Sequence, residues 1–468
     1  LSIDPQKKSI WLHLGSGAFH RAHQSWYLNQ LKEKGDDRWS LSLANIRNSA
    51  TQKTLQQLAR QQGRYTLEII SPEGQKQYQT LRAIENVILW DAGLRTLVDE
   101  AARAETKIIS FTVTEGGYFL DDEGHLDLTD NAIASDLQEQ AETITLYGAL
   151  VKILRARMAH DSGPITLLSC DNLRNNGDSF YRGLMAFLTA KQDPALLAWA
   201  SQNTCAPNSM VDRITPKFDA EIYTRLAQNG IHDDEAPLSC ESFSQWVMED
   251  NFIAGRPSLE KVGVEFAENV TPYEEAKIRV LNASHSGVAW MGSLLGKRYI
   301  DESLLPQVRQ WMTDYVMQDV SAALPPTNID LAEYCATTLH RFSNPWVRDT
   351  NQRVSSDSIA KLHEFIVPTL KACYQQGATP RATLILPALY FRFMQQRDRE
   401  TLGFEYEDRA LESVDFAAIF RAGDPLAAFA KTKKLFGSLS EQPELLADLR
   451  DAVQRVDTQL QIMGREQA

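Results

Sequence analysis

The chain has 468 residues, 43% apolar and 23% charged, and its 61 acidic against 48 basic residues leave a formal charge of −13. That length exceeds one ordinary core and calls for roughly two or three domains. The acidic balance argues against a nucleic-acid or anionic-membrane partner, and no apolar run is long enough to span a bilayer; the best, TLILPALYF, is interrupted by Pro387.

The chain opens LSIDPQKKS, without the apolar core of a signal peptide, and Leu1 in place of Met is expected to mark a trimmed or incomplete start. The five cysteines, Cys170, Cys205, Cys240, Cys335 and Cys373, are odd in number and widely spaced, with no C-x-x-C. They read as reduced thiols of a cytoplasmic protein, not as a disulfide framework or a zinc site.

SIWLHLG, from Ser9 to Gly15, is an apolar run ending in glycine and predicts a buried parallel strand. A helical pattern from about Ala22 to Lys34 stops at Gly35. Between them lies G-S-G-A-F-H, the position of a dinucleotide-binding turn, where glycine lets the backbone approach a pyrophosphate. Gly15, Gly17, Phe19 and His20 are the candidate cofactor residues, with His20 standing where the usual fingerprint has a third glycine. Arg21 is a candidate phosphate contact. His20 and His23 form the only close histidine pair. With no acidic or cysteine partner nearby, the pair fits a helix start better than a metal.

WSLSLANI, Trp39 to Ile46, predicts the second strand. The segment that follows it, ANIRNSATQ, has no carboxylate for an adenosine ribose. Arg47 is read either as a 2′-phosphate contact or as a solvated loop residue, so NAD is expected with NADP left possible. TKIISFTVTE, Thr106 to Glu115, and PITLLSCDN, Pro164 to Asn172, predict two more strands. Strands alternating with helices imply an α/β, Rossmann-like doubly wound parallel sheet. Ligands of such sheets sit beyond the carboxyl ends of the strands, which is where Glu115 and Asp171-Asn172 fall. Asn172 is a candidate donor to a substrate oxygen; alternatively Asp171 or Asn172 caps a turn. In NSMVDRITP, Asp212 and Arg213 read as an internal ion pair, and HDDEAP, His232 to Pro237, reads as an exposed loop.

From about Tyr273 helical periodicity replaces strand signals. The expected division is a dinucleotide-binding domain over 1–269 and a mainly α-helical substrate-binding domain over 270–468. AKIRVLNASH sets Lys277, Asn282 and His285 on one predicted helix, with Asn282 about 140° and His285 about 80° round from Lys277. An amine that takes a proton, with a carboxamide and an imidazole that bind the oxygen, suits metal-free alcohol oxidation. The same pattern also fits an amphipathic helix with a surface lysine and a core histidine. Further on, Arg353, Asp357 and Lys361 are spaced four apart, as in an ion-paired helix face.

Taken in order, GSGAFHRAH, FTVTEGGY, SCDN, NSMVDRITP, QWVMEDNF, YEEAKIRVLNASH, RFSNP and the Arg353 to Lys361 segment resemble the mannitol dehydrogenase family, the polyol-specific long-chain dehydrogenases and reductases. The resemblance covers essentially the whole chain. It implies a zinc-independent enzyme that moves hydride from a secondary alcohol to NAD. WLHLGSGAFHRAHQSWYLNQL, NIRN and DTNQRV are similar to the branch acting on D-arabinitol, with D-xylulose as product. Lys277 then matches the general base, Asn172 and Asn282 the carboxamides that hold the reacting oxygen, and His285 a substrate-binding histidine. Arg353 and Lys361 match contacts to the far end of the polyol, Asp212 another substrate-side position, and Glu115 and Glu274 acids of a proton relay. Ala206 stands where a larger residue is expected, and the second strand lacks the family's ribose-binding acid.

Two other readings stay open. Arg353 and Lys361 suit a hexuronate carboxylate as well as hydroxyls, and mannitol is a further candidate substrate. A catalytically silent sugar or nucleotide sensor on the same fold is disfavoured by the intact Lys277, Asn172 and Asn282, because a sensor has no use for a general base. The expected partners are a polyol and its ketose only, with no nucleic acid and no membrane, for a monomer or small homo-oligomer.

Overall fold

The computed structural model describes residues 7–121, 123–138, 142–325 and 328–466; the opening LSIDPQ lies outside them. The chain forms two compact units. The first comprises Leu1–Ile70 and Lys76–Thr271, the second Ser71–Gln75 and Pro272–Ala468.

The strands are β1 Ser9–Leu14, β2 Trp39–Ala44, β3 Tyr65–Ile70, β4 Lys76–Leu81, β5 Ile84–Ile88, β6 Thr106–Phe111, β7 Ile165–Ser169, β8 Thr204–Cys205, β9 Ser209–Asp212, β10 Leu238–Glu241, β11 Gln245–Glu249 and β12 Glu265–Ala267. Six of them make the main sheet of the first unit, in the order β5-β2-β1-β6-β7-β8, with every pair parallel. Both faces of this sheet are covered, and that explains the apolar runs. Alternate side chains serve different cores: Leu12, Ile109 and Leu167 join one apolar cluster, Trp11, Ile108 and Leu168 the other. Strand order reverses between β1 and β6, so the connections leaving these strands diverge at their carboxyl ends.

The helical pattern after β1 is two helices, Ala18–Ala22 and Gln24–Glu33. His23 breaks them at φ −121° and ψ −84°, while its Nε2 meets the carbonyl of Gln245 at 2.8 Å. The second helix gives way at Gly35, whose φ of +91° suits glycine. Two three-stranded sheets complete this unit. In one, the β3-β4 hairpin is extended by parallel β10; in the other, β11 lies between antiparallel β9 and parallel β12.

The second unit is built of helices. At its centre Ala283–Leu294 is buried on nearly every side and packs against Ile385–Asp398 and Asn351–Ser355. Such burial needs small residues at the crossings: a Cβ on Gly292 would stand 1.9 Å from Ser303 Oγ. Trp290 and Tyr390 meet in this core with ring centroids 5.0 Å apart. Among the described residues three segments are π-helical: Lys277–Asn282, Tyr315–Val320 and Leu362–Ile366. The second and third both pack on the first. Among the described residues no helix is long and apolar enough to cross a membrane.

Candidate active site

The candidate residues divide between the two units. In the first, the turn after β1 is shaped by Gly15, at φ +119°, where a Cβ would stand 2.7 Å from the carbonyl oxygen of Thr112. Only glycine fits there. Gly17 differs: a Cβ on it would meet nothing within 4 Å, and no side chain caps the helix that Gly17 begins. The turn is therefore open on the side where a pyrophosphate would need backbone N–H groups, and the glycines fit a dinucleotide. Asn45 anchors it, its Oδ1 accepting from Ser16 N at 2.9 Å and its Nδ2 donating to Thr51 Oγ1 at 3.2 Å. Phe19 is half-buried and stacks on His23 at 5.0 Å. Arg47 is exposed.

Two expected cofactor residues, His20 and the candidate phosphate contact Arg21, turn inward instead. The His20 ring is fully buried and stacks on His13 with centroids 3.4 Å apart, and neither of its nitrogens has a hydrogen bond. Burial pushes its pKa down to about 3. Arg21 is buried as well; its Nη1 donates to the carbonyl of Ala236 at 2.7 Å and its guanidinium lies over Tyr65. Both side chains are committed to the core of the unit.

Beyond the sheet's carboxyl edge, Glu115 begins a short 3-10 turn, Glu115–Tyr118, and Asn172 follows β7; both side chains are exposed. Between them lies buried Asp171, which accepts from Val113 N and Thr114 N at 2.9 Å each and from Tyr118 Oη at 2.7 Å. Burial pushes the Asp171 carboxyl up to about 6 against these donors, with the Glu115 charge adding to the rise. Asn176, which the sequence did not single out, staples this corner. It donates to the carbonyls of Asp171 at 3.0 Å and Ser209 at 2.9 Å, and accepts from Ser209 N at 2.9 Å. Asp212 is buried at the end of β9, opposite Gln245. Arg213 gives two of its donors to the carbonyls of Ala22 and Glu241 and lies over Trp26.

In the second unit Lys277 is buried and opens the first π turn, which Asn282 closes half-buried. The turn corrects the α-helical geometry expected for this segment. In i→i+5 bonding the fifth residue on comes round to nearly the starting face, so Asn282 lies close to the Lys277 stripe and not about 140° away. His285, three residues further in regular α-helix, is about 60° round from Asn282, back toward Lys277. Glu274 is buried three residues before Lys277.

His285 stacks on Phe342 at 4.4 Å, and its Nε2 lies 3.4 Å from Asp349 Oδ2 without making a hydrogen bond. Burial drives its pKa down to about 3; the Asp349 charge opposes this, and those of Arg353, Lys361 and Arg341 add to it. The imidazole is therefore neutral near neutral pH. Arg353 grips Asp349 with two donors, Nε to Oδ1 at 2.5 Å and Nη2 to Oδ2. Burial works against the Asp349 charge, yet Arg353 holds that carboxyl below its ordinary range. Arg353, Asp357 and Lys361 do not share the single helix face expected of them. Asp357 takes φ +53° between two short helices and pairs with Arg409 at 3.0 Å, and Lys361 Nζ donates to the carbonyl of Val354 at 2.8 Å. Asp349 is a further candidate that sequence reasoning missed, although its spacing four before Arg353 was a signal. Among the described residues no group of three or more His, Cys, Asp or Glu could hold a metal ion.

Comparison with known proteins places these features in a family. Residues 9–261 match the model described as the mannitol dehydrogenase Rossmann domain, and residues 269–457 the mannitol dehydrogenase C-terminal domain. A D-arabinitol 4-dehydrogenase from Klebsiella pneumoniae is 49% identical over 96% of this chain and 98% of its own length. One from Ralstonia nicotianae is 46% identical over 96% of each. Among solved structures, the Pseudomonas fluorescens mannitol 2-dehydrogenase ternary complex with NAD and D-mannitol superposes with a TM-score of 0.85 at 32% identity, covering 98% of this chain and 95% of that one.

Proposed function

The chain belongs to the mannitol dehydrogenase family, and on that footing we propose that it oxidises D-arabinitol at C4 to D-xylulose with NAD. It is a polyol dehydrogenase, an oxidoreductase acting on CH–OH groups. The observation that carries the substrate is the 49% and 46% identity, over nearly whole chains, to two proteins named D-arabinitol 4-dehydrogenase. We assign cofactor binding to 1–269 and substrate binding to 270–468. Gly15 and Gly17 hold the dinucleotide, with Phe19 beside them.

Bound NAD supplies the carbon that accepts the hydride. Lys277, as a neutral amine, removes the hydroxyl proton, and its burial favours that neutral form. Asn172 and Asn282 donate to the oxygen as negative charge develops, without adding net charge of their own. Glu274, one helical turn before Lys277, passes the proton outward, and Glu115 serves the same relay. His285 keeps a neutral Nε2 without a hydrogen bond, as a polyol hydroxyl requires. Arg353, Lys361 and Asp212 complete the substrate contacts. Because Asp349 already occupies the Arg353 fork, a uronate carboxylate would have to compete with a carboxylate of the protein. That favours a polyol over a hexuronate.

A second reading of the cofactor rests on Arg47, which is exposed at the end of β2 where no carboxylate stands. It suits the 2′-phosphate of NADP. The test is a panel of D-arabinitol and D-mannitol with NAD or NADP, and of fructuronate with NADH or NADPH, read at the reduced-nicotinamide absorbance band with product analysis. D-xylulose formed with NAD is expected. D-ribulose as product, or a clear preference for mannitol or fructuronate, overturns the substrate; a preference for NADP overturns the cofactor. No turnover of any polyol with either cofactor overturns the enzyme and leaves the sensor.

A further inference from the structure

Thr114, immediately before Glu115, has φ +62° and ψ +166°. That region is open to glycine and costly for a β-branched residue, so the surrounding structure must hold it. What holds it is Asp171. Its Oδ1 accepts from Thr114 N, and its Oδ2 from both Val113 N and Tyr118 Oη. Three donors converge on one side chain, and only an acceptor-only group satisfies them all. Tyr118 is itself held by Ser169 Oγ at 2.5 Å, and the loop is tight enough that a Cβ on Gly117 would stand 2.7 Å from Val113 Cβ. On the other side Asn176 fixes the Asp171 carbonyl, just ahead of Asn172.

We propose that Asp171 is a positioning residue, a buried carboxylate clamp that keeps the Thr114 backbone in its strained turn and so sets Glu115 and Asn172 together for the substrate. This rests on the polyol dehydrogenase reading for what those two residues do. The clamp itself rests on the bonds alone. Glu115 and Asn172 are both exposed, so burial holds neither side chain. With the carboxylate gone, the turn relaxes toward negative φ and the Glu115 peptide swings with it. The pKa near 6 leaves Asp171 ionised, and the clamp closed, at neutral pH.

The test compares wild type, D171N, T114G and the double variant. Asparagine has the shape of aspartate but turns an NH2 group toward at least one of the three donors. D171N is expected to lose about tenfold or more in kcat/KM for the polyol, with NAD affinity changed less than about twofold. Amide hydrogen exchange across 113–118 should speed up in D171N. T114G alone should stay near wild type, because glycine takes this φ freely. Added to D171N, it should recover about threefold or more, a rescue that a merely structural loss would not show. Tyr118→Phe removes one donor and should give a smaller loss of the same kind, which keeps the test decisive if D171N does not fold. Wild-type turnover and exchange in D171N, or no recovery from T114G, would overturn the clamp. Should the wild type turn over no polyol, the functional reading fails, while the exchange comparison still decides the clamp.

Discussion

The hydroxyl of Tyr315 donates to the carbonyl oxygen of Arg279 at 2.7 Å, tying the Tyr315–Val320 π turn to the one that carries Lys277 and Asn282. Arg279 sits inside that turn, so the bond acts on the backbone between the proposed base and the proposed oxygen-holding amide. Tyr315→Phe keeps the buried ring and removes only this donor. We expect a stability loss of about 1 kcal/mol and a several-fold fall in kcat with KM little changed, checked by thermal melts and steady-state kinetics.

Lys277→Ala should lower kcat by about 100- to 10,000-fold. NAD affinity, measured by fluorescence titration, should stay near wild type. Because only the base is missing, small external amines should restore part of the rate. Turnover like that of the wild type would remove Lys277 from the mechanism.

Arg353→Ala should raise KM for the polyol by about tenfold and lower kcat by less, since its contacts hold ground state and transition state alike. It also leaves Asp349 without its fork and brings an uncompensated carboxylate to within 3.4 Å of His285. The His285 pKa should then rise, because the positive charge of Arg353 helps keep it low. An acid limb in the kcat/KM profile, absent from the wild type and present in the variant, is the readout.

The His13–His20 stack predicts acid lability of the first unit. Burial lowers both pKa values, that of His20 to about 3. Below the ordinary value of 6.5 the unfolded chain takes up protons that these folded rings refuse. The stability they permit is therefore full above that value and is lost as pH falls toward about 3. Each ring contributes up to roughly 1.4 kcal/mol per pH unit in that window. Melting temperatures measured down a pH series should fall in this direction, and His20→Phe, which keeps a ring against His13, should flatten the slope. A pH-independent wild type would contradict the stack.

The parallel sheet was legible because strands buried on both faces announce themselves as apolar runs ending in polar or glycine residues, as SIWLHLG does. The small sheets were not. β9, with four residues, and β12, with three, are too short for periodicity to register. Candidate residues at strand ends were legible from topology. The direction of a side chain was not, which is why Arg21 and His20, correctly next to the glycine turn, face the core. The π turn also lay beyond reach, since an inserted residue changes no residue type and the sequence of Lys277 to His285 reads as α-helix. Asp349 was missed for another reason, despite its spacing four before Arg353. It stands before the short Asn351–Ser355 helix, so its pairing with Arg353 depends on a bend and not on a helical face.

The helix that follows Asn282 has almost no free side. Ser303 and Asn351 crowd Gly292, and Leu386 and Met312 crowd Gly287. A rod wedged in this way cannot be turned or slid to suit a different ligand without moving its neighbours together. Lineages, or engineers, that seek a new substrate on this scaffold are therefore left with its margins. The bend from Asp349 to Arg353 can be recut one residue at a time, while Lys277, Asn282 and His285 stay as a fixed datum against which it is measured.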